Sequence, residues 1–503
     1  MKIPGLSPEF FFRLSGWGGA LALIGFPVSV SISQAGLVLA VLGWGLWQWS
    51  LARRPELAGH VDTYPTGPDA LLWRMPGSMP LLLKLALGIY AVQFVALLIN
   101  ALMAGGPVEI LGALDRGFNR EFKDVLLVLG AFWILAYTSH PAGEARVLRW
   151  FEIAIWVLVL SGLFSIFSRF RLSKYPYHIM HGWVGSEIAR YQHHLGTFFA
   201  DGAMQTHIYM PIGFMNTHLT YAALLAFVFP VLLLRLLHPF LMEEKKGLAG
   251  FSTALFEMFR WRKITLFLFV SSALILVLNN GRSAMLGLIV ALIVALYYFV
   301  RVYWGARILR LLPLVIAAVS LFVVLVNASP RFHDRFERIM TALTGQEKHT
   351  DYHRSFLWQG TLEIIEENPV IGVGPGAWND AIDATVLGYS QEHPRLWYAY
   401  EIIQRGHAHN DLMHLVAIAG PLCGLVFLCF AGLYIFRALG PSSSLEYEFW
   451  KWGPLVVFFG GLYQCYFQDD EVLLPFWLLV GLALRGYLNA ARDSSDRTPD
   501  VSR

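Results

Sequence analysis

An all-α polytopic membrane protein is the fold class that the sequence predicts, on three grounds. Of 503 residues, 56% are hydrophobic and 15% charged, and the mean hydropathy is +0.53, too apolar for a soluble chain of this length. Apolar runs long enough to cross a bilayer recur along the whole chain. Polar and titratable residues gather between those runs, above all in two stretches, 169–207 and 329–410.

The apolar runs predict about twelve spans, with edges near 12–31, 34–51, 80–103, 123–138, 148–168, 208–236, 264–280, 283–301, 308–328, 411–436, 452–468 and 472–490. An even number places both termini on one side. Basic residues such as Arg53, Arg54, Arg146, Arg149, Arg235, Lys245 and Lys246 then fall on that side, which the positive-inside rule makes cytoplasmic. The two long polar stretches face outward. No small-residue cleavage site follows a short apolar core at the N-terminus, so the first span is expected to act as the insertion signal. Three units follow: 1–263 with the outward loop 169–207, a core 264–440 containing the loop 329–410, and 441–503 with the last two spans and a cytoplasmic tail.

The second loop has predicted substructure. Ser329-Pro330 reads as N-cap and N1 of an amphipathic helix that ends at Gly345, with Phe332, Phe336, Ile339, Met340 and Leu343 on one face. Arg331, Arg335 and Arg338 flank that face and read as snorkelling cations. A second helix covers Asp351–Glu367 and stops at Asn368-Pro369. The run from Val370 to Trp378 holds three glycines and a proline, which demands a tight turn where backbone approaches a ligand or another segment. No GK[ST] follows it, so it is not a phosphate-binding P-loop.

The stretch Arg405–Gly424 changes from polar to apolar within a few residues. Asn410 is a good N-cap, Asp411 sits in the first turn, and His409 stands one residue outside the positive end of a long apolar helix. That position disfavours imidazolium, so His409 is expected to stay neutral and able to accept a proton. The same pattern is also how an ordinary loop ends. Arg282 lies in the very short outward link Asn279–Ser283, where a cation near the bilayer needs a partner or a cavity. Arg354 and Arg405 are further guanidinium candidates for phosphate or diphosphate, and His407 and Asn410 adjoin His409. Asp469-Asp470-Glu471 reads as a polar turn between the last two spans.

Other chemistries find no pattern. His407-x-His409 lacks an HExxH or Cys/His context, so no metal is expected. No GxSxG is present. Cys423, Cys429 and Cys465 lie in apolar runs as packing residues. A net charge of +3 is too small to point to nucleic acid.

Asn280-Gly-Arg-Ser-Ala-Met-Leu-Gly287, then Arg354 with the Asn368–Gly376 turn, then His409-Asn410 with Gly420 and Gly424 beyond, form an ordered set. Over about 265–430 this set resembles the O-antigen ligase and O-antigen polymerase superfamily of bacterial membrane glycosyltransferases. The resemblance implies a GT-C-like fold in the inner membrane and a polyprenyl-diphosphate-linked glycan donor. It implies a periplasmic active site that uses no nucleotide sugar, cofactor or metal. It implies His409 as the base, with Arg282 and Arg354 on the diphosphate, and leaves Arg405, His407 and Asn410 as substrate-binding candidates. The acceptor stays open between lipid A–core sugar in lipopolysaccharide synthesis, another glycan repeat, and a protein hydroxyl. Ligase members often carry threonine where this chain has Cys423. The rival class is a transporter of lipid-linked sugar, which would show inverted repeats and broken helices. All the named residues lie in one chain, so a monomer suffices.

Overall fold

The computed structural model describes residues 8–53, 80–175, 191–198, 206–242, 262–311, 351–392, 394 and 406–496. It is mostly helical. The helices are α1 (Pro8–Gly25), α2 (Val30–Ala52), α3 (Leu81–Met103), α4 (Pro107–Arg120), α5 (Leu129–Tyr137) and α6 (Pro141–Ile166). A two-stranded antiparallel hairpin follows, β1 (His194–Phe198) and β2 (Thr206–Tyr209). Then come α7 (His218–Met242), α8 (Lys263–Asn279), α9 (Arg282–Phe299), α10 (Asp351–Glu367), α11 (Trp378–Glu392) and α12 (Asp411–Ala438). The last are α13 (Leu445–Trp450), α14 (Leu455–Gly460) and α15 (Asp470–Asp496).

Among the described residues, seven helices are long and apolar enough to cross a membrane: α2, α3, α6, α7, α9, α12 and α15. The apolar helix α8, at 17 residues, is slightly shorter. The apolar part of α15 is 89% buried and that of α7 72%, against 39% for α2, so α15 and α7 form the centre of the bundle. On α1 and α2 the glycines let the two backbones touch, and Ser15 Oγ donates to Ala40 O across the seam at 2.9 Å.

Local chemistry explains several helix starts. Pro107 and Pro141 occupy first-turn positions, where the missing N–H is no loss. His140 Nδ1 accepts the N–H of Ala142 at 3.1 Å as a cap. Helix α10 spans Asp351–Glu367, as the sequence predicts.

Three predicted spans differ. Residues 123–138 are not one helix: a 3₁₀ segment, Phe122–Val128, leads into the nine-residue α5. Glu121 and Asp124 are both buried there. The span predicted from 208 begins only at His218, because Pro211 and the left-handed Gly213 (φ 53°) hold the preceding residues in an open turn. The span predicted over 452–468 is broken. Gly453-Pro454 separates α13 from α14, and α14 ends at Gly460-Gly461, after which 461–469 is irregular and largely buried. Residues 312–328 of the ninth predicted span, and the predicted amphipathic helix from Ser329 to Gly345, lie outside the described residues.

Two ion-pair groups bind the end of the bundle opposite the site: Arg235 with Glu152 and Glu446, and Lys451 with Glu448. The Asp469-Asp470-Glu471 turn does more than link spans. Asp469 accepts from Thr220 Oγ1 on α7 at 2.6 Å, Asp470 from Gln34 on α2 at 2.9 Å, and Glu471 from Asn216 at 3.2 Å.

Candidate active site

The site is built on the N-terminus of α12. Asn410 caps it, its Oδ1 accepting the Met413 N–H at 3.0 Å. The broken stretch after α14 wraps this end. Gly460 closes α14 early, so the next carbonyls are free of helical partners. Gly461 O accepts the Asp411 N–H at 2.7 Å, and Leu462 O accepts from Asn410 Nδ2 at 3.1 Å. Asp411, 2% exposed, in turn accepts the Phe467 N–H at 2.9 Å. The last three of these bonds fix 461–467 against the start of the helix.

His409 sits where they converge. Its backbone is left-handed (φ 50°), uncommon for a residue other than glycine. Its Nδ1–H donates to Gln464 Oε1 at 2.7 Å, which leaves Nε2 as the basic nitrogen. The His407 ring packs edge-on against it, centroids 4.3 Å apart, and His407 Nδ1 accepts the His409 N–H at 3.3 Å. Burial lowers the pKa of His409 and the charge of Arg354 lowers it further, against the bond to Gln464, which raises it. Burial pushes His407 down to about 3, with the neighbouring His409 and His414 adding to the effect. Both imidazoles are therefore neutral at pH 7.

A folded-state pKa below the unfolded one means that the unfolded chain binds more protons between the two values. Thermal stability is therefore expected to decline as pH falls below about 6.5, the ordinary histidine value. A His407→Gln variant melted across pH 4–8 should show a flatter decline than the wild type.

The arginines stand on other elements. Arg282 opens α9, two residues after Asn280, whose left-handed backbone (φ 58°) ends α8. The next residue, Ser283, bonds Tyr466 Oη at 3.0 Å, so this helix start is tied to the segment that carries Gln464. Arg354 is on α10, within electrostatic reach of both His407 and His409. The structure thus brings His407, His409, Asn410 and Arg354 together, with the start of α9 tied to the same wrapping segment. Arg405 lies outside the described residues. Among those residues, no three His, Cys, Asp or Glu side chains are grouped to hold a metal ion.

The glycine-rich turn supports the site from behind. Pro421 has no N–H to give Ala417 O, and Gly420 (φ 78°, ψ 173°) breaks α12. The turn repairs the break: Val373 N–H donates to Ala417 O at 2.9 Å and Gly374 N–H to Ile418 O at 3.1 Å. Arg120 of α4 donates to Gly376 O at 3.0 Å, and a Cβ on Gly376 would come within 2.7 Å of the α4 backbone. The close approach that the turn was expected to make is thus to other chain segments, α12 and α4.

Sequence reasoning missed Gln464, and also a buried group beneath the site. His414 Nε2 lies 3.5 Å from Glu121 Oε1 and contacts the Gln468 amide, with the Trp378 ring edge-on at 5.4 Å. His414, Glu121 and Gln468, with Tyr90, Gln93 and Asp411, line a cavity of about 10 Å³. The available signal was two glutamines, Gln464 and Gln468, one helical turn apart in an otherwise apolar run.

Residues 267–428 match the family model described as O-antigen ligase. Over that stretch the chain is similar to O-antigen ligases. The match takes in most of α8, then α9, α10, the glycine-rich turn, His407, His409 and the break at Gly420, in accord with the resemblance read from the sequence. Gln464 and the segment that wraps His409 lie beyond the matched O-antigen ligase region. No curated protein matches the chain.

Proposed function

We propose that this protein is a glycosyltransferase that moves a glycan from a polyprenyl-diphosphate carrier to an acceptor hydroxyl at the periplasmic face of the bacterial inner membrane. The observation that carries the reading is His409, neutral, oriented by Gln464 and placed inside the matched O-antigen ligase region. His409 Nε2 takes the proton of the acceptor hydroxyl. The acceptor oxygen bonds to the anomeric carbon as the bond from that carbon to the diphosphate oxygen breaks. The electron pair leaves with the diphosphate, and the anomeric configuration inverts.

Arg282 and Arg354 stabilise the charge that develops on the leaving group. Arg405 joins them as a donor ligand. His407, with Nδ1 already accepting, offers Nε2–H as a neutral donor to substrate. Asn410 has its side chain engaged on Met413 and Leu462, so it serves the substrate by holding the helix end that presents His409. No step in this reading uses a metal or cofactor, and one chain suffices. The acceptor is lipid A–core, a glycan repeat or a protein hydroxyl.

Removing one charged donor from a developing oxyanion costs about 10²–10³-fold in kcat. Arg354→Ala is expected to lose transfer on that scale, and Arg354→Lys to recover part of it, in single-turnover assays.

Gln464 is a positioning residue. Gln464→Leu removes one hydrogen bond, for an expected drop of about tenfold in kcat. Gln464→Glu places a carboxylate on Nδ1–H and raises the pKa of His409. The acid limb of the rate profile should then move to higher pH, a readout that a merely structural role would leave in place.

The broken stretch 452–468 is a feature that a transporter of lipid-linked sugar would also use. The family match favours transfer, and a liposome assay separates the two.

A further inference from the structure

A second cavity lies away from His409, on the flank of α6. Its volume is about 540 Å³, within the roughly 300–1,000 Å³ of small-ligand clefts. Leu160, Phe164, Phe167 and Phe214 supply apolar walls, and Ser168 and Tyr175 a polar end. It is a built feature. Ser165 Oγ accepts the N–H groups of Ile212 and Gly213 at 3.1 and 3.3 Å, which fixes the segment carrying Phe214 against α6. Ser168 Oγ and Tyr175 Oη bond at 3.0 Å and close the polar end.

Two features point to one kind of occupant. Phe164 and Phe167 are 69% and 65% exposed at the end of a membrane-length helix, so the cleft continues the bilayer-facing surface at the depth where aromatic residues mark the interface. The residues beside its polar end are cationic: Arg169 follows Ser168, Arg171 precedes Leu172, and Lys174 precedes Tyr175. Arg169 is stacked over Tyr191 at 4.7 Å, and Arg171 donates to Asn216 O at 2.7 Å, so both are held in place. Among the described residues, no acidic side chain lines the cleft. An apolar slot whose polar-end residues adjoin three cations in the chain matches an anionic phospholipid, whose phosphate takes Arg or Lys as partners.

We propose that this cleft binds one acyl chain of an anionic phospholipid, with the headgroup phosphate held by Arg169 and Lys174. The assignment does not depend on the transfer reaction. The test is photo-labelling of the full-length protein in nanodiscs with phosphatidylglycerol carrying a diazirine on its acyl chain, with labelled sites mapped by peptide mass spectrometry.

Labelling is expected to concentrate on 157–175 and around Phe214, above the level on the bilayer-facing side of α2. It should fall about tenfold with the phosphatidylcholine analogue or in the Arg169→Gln/Lys174→Gln variant, since each cation contributes a few-fold. Leu160→Trp, which fills the slot, should abolish it at unchanged melting temperature. Wild-type labelling no denser than on α2, or equal for the two lipids, would overturn the proposal. Displacement by polyprenyl diphosphate and not by unlabelled phosphatidylglycerol would also overturn it, and would give the cleft to the tail of the glycan carrier.

Discussion

Replacing His409 with alanine is expected to lower glycan transfer about 10²–10⁴-fold, the range for loss of a general base acting on a poor nucleophile. Folding should survive. The bonds that organise this end of α12 come from Asn410, Asp411, Gly461, Leu462 and Phe467, not from the imidazole. The sign of the pH dependence follows from the lowered pKa of His409. Its neutral form persists below the ordinary histidine value of about 6.5, so the acid limb of kcat/KM should lie under that pH. Small nucleophilic acceptors that need no base, such as azide, should lose less in His409→Ala than sugar acceptors do. Equal loss with both would point to a structural role for the residue.

Gly420→Ala is expected to be the most destabilising single substitution at the site, by about 3–5 kcal/mol. The cost has two parts. At φ 78° and ψ 173° the backbone is open in practice only to glycine, and a Cβ there would run into the Val370 carbonyl and the backbone of Ile371. Relieving that clash would push away the turn whose N–H groups serve Ala417 and Ile418. Gly432→Ala, later in the same helix with open space around it, is the control and should be neutral or slightly stabilising. Thermal unfolding of the two variants in one detergent reads the difference directly.

What the sequence revealed of this site was mostly local chemistry. The Asn410 cap, the extent of α10, the Asn280 link before Arg282 and the need for a tight turn at 370–376 all depend on residues close in the chain, and all are present. What stayed hidden depends on tertiary partners. Residues 452–468 are apolar enough to read as a span, and they break at Gly460-Gly461, where the Gly461 carbonyl takes the Asp411 N–H of a helix end some fifty residues earlier. Gln464 looks like one polar side chain in an apolar run until His409 is placed beside it. The neutrality of His409 was expected from its position outside a helix N-terminus, whereas in the folded chain burial is the larger cause. The glycine-rich turn announced a close approach, but only the break after Ala417, forced by Pro421, identifies what it approaches.

The most direct measurement is transfer by the purified protein in lipid, from a polyprenyl-diphosphate oligosaccharide to lipid A–core, glycan and peptide acceptors, with EDTA present. His409→Ala and Arg282→Ala run beside the wild type. Transfer to one of these acceptors by the wild type, and its loss in both variants, is the expected result. Protein-dependent movement of the donor across liposomes, with no transfer to any acceptor, would contradict it.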